Sequence, residues 1–333
     1  MRRTSRARFT AASLMLAATF ALISLPKAQA FDNANWGANY FPNVVLTTQD
    51  GKQVKFYDDL LRNKMFAINL IYTHCTDVCP LETAKLGQVY KLLQDRMGKD
   101  LYFYSITIDP KRDTPTVLKA YSKKFHTGPG WYFLTGKKAD IDAIRQKLGI
   151  ALRPNSDPLT GHTTSMMIGN EATGQWILDS SMDDPHYLAA ILGNWMSSWK
   201  YNKVEATYDQ KPPMDPLEHE RGGSLFRTSC AACHTVGGGD LIGPDLATVT
   251  LVRDRKWLKH FIQEPDAMLK SQDPIAVALY KKYKQVNMPN LKLDDAQAEN
   301  LVQFLEARAK EYTHAESPAN HETTTKANSS GTR

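Results

Sequence analysis

The run Met65 to Tyr72 is apolar but for Asn69, and it ends directly in Thr73-His74-Cys75-Thr76-Asp77-Val78-Cys79-Pro80. An apolar run of this length suits a strand buried on both faces, which requires a sheet with helices on either side. Pro80 stands where the first turn of a helix tolerates proline. Leu81 to Met97 then carries Leu86, Val89, Tyr90 and Leu93 as one helical stripe. The spacing therefore predicts strand, thiol-bearing loop and helix in succession. Two thiols at the end of a buried strand can hold a soft metal or cycle as a disulfide.

The flanking sequence extends this unit. Two alternating segments between Val44 and Tyr57 surround Asp50-Gly51, a strong hairpin signal. Leu101 to Ile108 reads as a strand, Asp109-Pro110-Lys111-Arg112-Asp113-Thr114-Pro115 as a loop, and Thr116 to Phe125 as a helix. Trp131 to Leu134 is a short strand and Ala139 to Leu148 a helix. Thr163 to Ile168 and Gln175 to Leu178 form a second hairpin, and a helix from Tyr187 to Trp199 closes the unit. This order predicts a thioredoxin-like α/β domain with three layers and a mixed sheet.

Tyr201 to Pro216 is rich in proline and has no sustained apolar period, so residues 201–216 read as a linker between a first domain, 31–200, and a second, 217–312. The second domain is all helical: Leu217 to Ser229, Arg255 to Gln263, Pro274 to Tyr283 and Asp294 to Tyr312. Asp294 with Gln297 gives the last helix a capping-box start. Residues 313–333 are polar and are expected to be disordered.

Charge points away from nucleic acid. The chain has 41 basic and 35 acidic residues, but Arg2, Arg3, Arg6, Arg8 and Lys27 lie in the first thirty, which contain no acid. Without them, 36 basic residues face 35 acidic ones, and the basic surface that nucleic-acid binding needs disappears. Residues 1–30 combine this basic start with an apolar stretch from Ala11 to Leu25 and the small-x-small site Ala28-Gln29-Ala30. They predict a signal peptide and export to a bacterial periplasm; cleavage is favoured over retention as a membrane anchor on the outer face of the inner membrane.

The 4 cysteines form two close pairs. The second, Cys230-Ala231-Ala232-Cys233-His234, is the attachment signature of c-type haem: two thiols form thioethers and the adjacent imidazole reaches the iron. A thioredoxin-type pair would follow a strand, and a zinc site would need a closed shell of four ligands. One covalent haem c is therefore expected. Met288, in Asn287-Met288-Pro289-Asn290, is the candidate for the sixth ligand, with Met268, Met214 and His260 as rivals. Residues 217–312 resemble a small monohaem cytochrome c. The resemblance implies His234 and Met288 as axial ligands and Pro244, in Gly243-Pro244-Asp245-Leu246, as the residue whose carbonyl orients the imidazole.

Cys75 and Cys79 enclose three residues instead of the two of a thioredoxin pair, which opens the pair towards a single ion. Soft thiolates favour Cu(I), and an added imidazole makes a site that also holds Cu(II). His162 in Thr160-Gly161-His162-Thr163-Thr164 is the candidate, with His74, His126 and His186 as rivals. The thiol motif, the Asp109 to Pro115 loop and the isolated His162 together resemble the Sco/SenC family of copper proteins, over about Asn43 to Trp199. That resemblance implies copper bound by Cys75, Cys79 and His162 and passed to the binuclear copper centre of cytochrome c oxidase. Thr76 departs from the proline common in the family, and Gly161 from an aspartate. The Asp109 to Pro115 loop is expected to support the thiol loop, and Asp77 to act as a hydrogen-bond acceptor behind the site or as a helix cap.

These readings predict an exported Sco-like protein fused to a cytochrome c domain. Its task would be copper delivery or redox maintenance during oxidase assembly, with the oxidase's copper-bearing subunit or another respiratory copper enzyme, and a redox protein, as partners. A metallochaperone or electron carrier is favoured over a turnover enzyme. Two alternatives stand: a thiol-disulfide reductase using Cys75 and Cys79, and a respiratory electron-transfer module. Because haem and copper each exchange one electron and a dithiol two, a fused haem matches copper more directly.

Overall fold

The apolar run from Met65 becomes the central strand of a seven-stranded sheet. In the computed structural model, which describes residues 37–76, 78–150, 163–197, 217 and 220–315, the strands are β1 (Val45–Thr48), β2 (Gln53–Lys55), β3 (Met65–Ile71), β4 (Leu101–Thr107), β5 (Trp131–Thr135), β6 (Ser165–Asn170) and β7 (Gln175–Ser180). Their spatial order is β2-β1-β5-β4-β3-β6-β7. β3, β4 and β5 are parallel, whereas β1 joins β5, and β6 joins β3, antiparallel. All seven residues of β3 are buried.

Helices cover both faces. Met65, Ala67, Phe103, Trp131, Phe133 and Ile168 pack against α1 (Cys79–Leu92), α2 (Pro115–Lys124) and α4 (Pro185–Gly193). Phe66, Ile68, Leu70, Tyr104 and Leu134 pack against α3 (Lys138–Lys147) and the π-helical turn Phe56–Leu61. Burying each of these large side chains stabilises the fold by about 1.5–3 kcal/mol. Asn69, the polar exception in β3, accepts from Ser105 Oγ at 2.8 Å, and Ser105 accepts from Trp131 Nε1 at 3.0 Å. Its amide oxygen is thus satisfied inside the apolar layer.

Three local departures have clear causes. The helix expected through Met97 stops at Leu92, because Met97 bridges to Leu101 and Gly98 turns the chain at φ 77° against Gly130. The helix expected from Tyr187 to Trp199 gives way after Gly193 to the 3-10 turn Trp195–Ser197, fixed by Asn170 Nδ2 on the Met196 carbonyl; residues 198 and 199 lie outside the described residues. The Phe56–Leu61 turn is only 6 residues long, too short for its apolar residues to repeat over successive turns and signal a helix. Its Tyr57 hydroxyl reaches Glu171 at 2.6 Å.

The remaining described residues form α5 (Arg221–Ser229), α6 (Val249–Val252), α7 (Arg255–Gln263), α8 (Pro265–Lys270), α9 (Pro274–Lys282) and α10 (Asp295–Ala315). α5 crosses α10 so closely that a Cβ on Gly222 would lie 2.1 Å from the Asn300 carbonyl oxygen. Phe226 and Phe304 meet at this crossing, beside Leu301, Val302 and Leu305. The expected capping box forms: Gln297 N–H donates to Asp294 and the Gln297 side chain accepts from Asp294 N–H. Among the described residues, no helix is long and apolar enough to cross a membrane.

Candidate metal and haem sites

Parallel pairing decides where the first site lies. Ile71 of β3 sits opposite Thr107 of β4, so the loops that follow both strands emerge side by side at the carboxyl edge of the sheet. Open α/β sheets bind ligands at this edge. One loop carries Cys75, and the other carries Asp113.

Asp113 is completely buried. Its carboxylate accepts from Thr73 N–H at 3.1 Å, Thr73 Oγ1 at 2.5 Å and Thr107 Oγ1 at 2.5 Å. It thereby clamps the start of the thiol loop to the end of β4, a supporting role for the Asp109 to Pro115 loop. Thr114 caps α2 through Val117 N–H, with Pro115 in the first turn.

Cys75 and Cys79 are 2% and 0% exposed, and neither is in a disulfide. Burial pushes the Cys79 thiol well up from its ordinary value, and a hydrogen bond with Cys75 pushes it further. The Cys79 thiol held this way keeps its proton until a soft cation replaces it. Tyr121 and Glu82 complete the surroundings. The Tyr121 hydroxyl shares a 2.9 Å hydrogen bond with Thr83 and lies 3.4 Å from the Cys79 carbonyl. Glu82, one helical turn after Cys79, is buried and accepts from Ser181 Oγ. Its spacing from Cys79 was the only sequence signal for either residue.

His162 and Asp77 lie outside the described residues. Thr163, the next residue after His162, leads into β6, and the Asn69 to Met166 register starts that strand beside the end of β3. Of the rival histidines, His74 is exposed with Nδ1 3.1 Å from Thr73 Oγ1, His126 contacts Lys284, and His186 lies in the first turn of α4.

The second site is a cavity of about 540 Å³. Cys230, Cys233, His234 and Met288 line it together with Trp257, Phe261 and Leu301. The local backbone explains the placement. Cys233 and His234 N–H both donate to the Cys230 carbonyl at 3.0 Å, and Gly243 N–H donates to the Cys233 carbonyl at 2.9 Å. This folds Gly243-Pro244 onto the imidazole: a Cβ at Gly243 would lie 2.5 Å from His234 Cε1.

His234 Nδ1 donates to the Pro244 carbonyl at 2.8 Å. Burial holds the imidazole below its ordinary value despite that carbonyl, so the ring is neutral and its Nε2 lone pair is available to a metal. Burial also pushes both Cys230 and Cys233 up to about 12. A wide apolar cavity, two adjacent thiols, an oriented neutral imidazole and one thioether fit a haem c. Met288 is the one methionine among the cavity's lining residues. Met268 is buried in α8 and His260 lies in α7, neither on the lining, and Met214 lies outside the described residues.

Sequence reasoning missed Asp245. Its carboxylate accepts from Thr235 Oγ1 and from the N–H groups of Gly237, Gly239 and Ala247. Burial opposes its ionisation, but these four hydrogen bonds prevail and hold its carboxyl at about 2. Asp245 thus braces the loop that carries Pro244. Its position directly after Gly-Pro was the available signal.

The two sites adjoin. Thr76 of the thiol loop also lines the haem-sized cavity, and its carbonyl accepts from Asn290 N–H at 3.3 Å. Ala232 is buried against the first core layer, and Val286 and Leu291 pack on the same cluster.

A mixed sheet with a thiol pair at the carboxyl edge of its parallel strands, followed by helices around a Cys-x-x-Cys-His cavity, defines a thioredoxin-like thiol domain joined to a c-type cytochrome domain. Residues 35–196 match the SCO1/SenC family and residues 219–308 match Cytochrome c, so this chain carries an SCO1/SenC domain fused to a cytochrome c domain. It is 38% identical over 103 residues to an SCO2-like protein of Rickettsia prowazekii, covering 31% of this chain and 49% of that one. Over 124 residues it is 32% identical to the mitochondrial protein SCO2 of Saccharomyces cerevisiae, covering 35% and 40%. The chain spans about half the length of the first of these relatives. A similar solved structure is Arabidopsis thaliana ScoI with copper bound, with a TM-score of 0.39 and 23% identity, covering 49% of this chain and 99% of that one.

Proposed function

We propose that this chain handles copper for the assembly of a respiratory copper enzyme, the copper centre of cytochrome c oxidase foremost, and that its cytochrome domain gives one-electron control of that copper. Copper is the cargo. Cys75 and Cys79 supply two soft thiolates once their protons leave, and His162 supplies the imidazole that allows both oxidation states. Asp113 fixes the approach of the thiol loop. In the second domain Cys230 and Cys233 would hold the haem, Pro244 would orient His234, and His234 and Met288 would supply ligands to its iron. When bound, haem supplies a one-electron couple. The copper-bearing subunit is the proposed recipient, a redox protein the proposed electron partner, and residues 1–30 the proposed export signal to the periplasm.

The observation that carries this reading is the sharing of Thr76 by the thiol loop and the haem-sized cavity. Metal analysis with optical spectra, on protein made under conditions that permit haem attachment, tests it. One haem and one copper per chain are expected, with copper retention reduced in His162→Ala. Absence of copper at Cys75 and Cys79 would sink the reading.

The hydrogen bond between the Cys75 and Cys79 thiols supports a second reading, a reductase for the cysteines of the copper enzyme. Thiol-disulfide exchange unaffected by His162→Ala would favour it.

A further inference from the structure

The loop that carries Met288 is gripped by the first domain at both ends. At its start, the Gln285 carbonyl accepts from Lys124 Nζ at 2.9 Å, and Lys284 Nζ donates to His126 Nε2 at 3.0 Å. At its end, Asn290 N–H meets the Thr76 carbonyl. Val286, just inside the first point, and Leu291, just past the second, pack against the core layer that includes α1 and α2. A fourth link, Gln88 Nε2 to the Ala231 carbonyl at 3.4 Å, lies at the haem-attachment turn.

Two features make the loop's shape depend on this grip. Lys284 and Gln285 are consecutive left-handed residues, φ 55° and 57°, a conformation unfavourable for side chains of their size. Both make their cross-domain bonds from that conformation. Asn290 is held from the other side: its Nδ2 donates to Asp266 Oδ1 at 2.7 Å and to Glu264 Oε2 at 3.3 Å, which aims its backbone N–H at Thr76. Thr76 is bonded directly to Cys75, and Asn290 is two residues from Met288. One hydrogen bond thus links the two ligand loops.

We propose that the thiol loop and the Met288 loop act as one unit, with Asn290 as the positioning residue, so that a change at Cys75 and Cys79 is transmitted to Met288 through the Thr76 carbonyl. This rests on the proposed copper function only for its biological purpose. The coupling itself requires that the thiol pair change state, either by releasing its protons to take up copper or by losing two electrons and two protons to an added disulfide oxidant, which is reduced to two thiols as the Cys75–Cys79 bond forms. It gives the cytochrome domain a means of sensing whether the first domain is loaded.

The experiment uses the full haem-bearing chain in three states: dithiol, copper-loaded and disulfide. Amide exchange of the 285–291 segment and the optical band of the methionine-ligated ferric haem are followed in each. Copper loading is expected to slow exchange at the Asn290 amide severalfold, and the methionine band is expected to differ between the dithiol and the other two states. Asn290→Pro removes the N–H donor and should abolish the band response. Asn290→Ala keeps the N–H but loses the Asp266 and Glu264 clamp, so it should retain a reduced response. Lys124→Ala, which leaves Asn290 intact, should weaken the response from the other end if Asn290→Pro does not fold. Equal exchange and an unchanged band across all three states of the wild-type chain would overturn the coupling. Failure to take up copper would defeat the proposed function alone, because the disulfide state still reports on the coupling.

Discussion

The two cysteine pairs are chemically alike and structurally opposite. Cys75 and Cys79 are buried and Cys230 and Cys233 half-buried, and desolvation disfavours the thiolate at Cys79 in one pair and at both cysteines of the other. Cys75 and Cys79 lie against each other at a sheet edge, held by a loop that Asp113 ties to the neighbouring strand. Cys230 and Cys233 instead face an apolar cavity with a neutral, oriented imidazole. Cysteine spacing alone therefore does not set the chemistry. What lies beside the sulfurs does: another thiol in one case, room for a macrocycle in the other.

The comparison breaks most severely at the second pair. Replacing both Cys230 and Cys233 by alanine should abolish covalent haem, read as complete loss of haem colour in denatured protein, while copper uptake by the first domain persists. Loss of both together would mean that the two sites are not separable. Gly243→Ala should come next. Its Cβ would collide with the His234 ring, and overpacking of this kind costs about 1–3 kcal/mol, which a thermal melt of the haem domain would register along with weakened iron ligation.

Asp113→Ala tests the first site in the same way. It leaves the Thr73 N–H without its buried acceptor, at a cost of about 1–3 kcal/mol, and denaturant unfolding should show it together with weaker copper retention. The smallest effect belongs to Asp245. Its carboxyl is held at about 2 in the folded chain, against about 3.9 when unfolded. Its contribution is therefore fully present above about pH 4 and is lost as pH falls through about 2. An acid titration of haem ligation should show this loss, and Asp245→Asn should flatten it.

The parts of this molecule that local pattern can encode were legible. β3 followed from its apolar run, α10 from Asp294 and Gln297, and the mixed sheet from the order of elements. The Pro244 carbonyl found on His234 Nδ1 lies only ten residues away and was suggested by resemblance. Asp113 on Thr73 was expected only as general loop support, because forty residues separate them and the pairing of β3 with β4 brings them together. The contact of Thr76 with Asn290 was not legible at all. It joins residues on either side of positions 201–216, and no periodicity or spacing encodes a bond between backbone groups so far apart in the chain.

In the proposed function the two sites serve one another. The most direct measurement is stopped-flow observation of the reduced haem protein after Cu(II) is bound at Cys75 and Cys79. Haem oxidation of one electron per copper is expected, at a rate independent of protein concentration and absent in Cys75→Ser/Cys79→Ser. Haem that stays reduced, or that oxidises at a rate proportional to protein concentration, would contradict it.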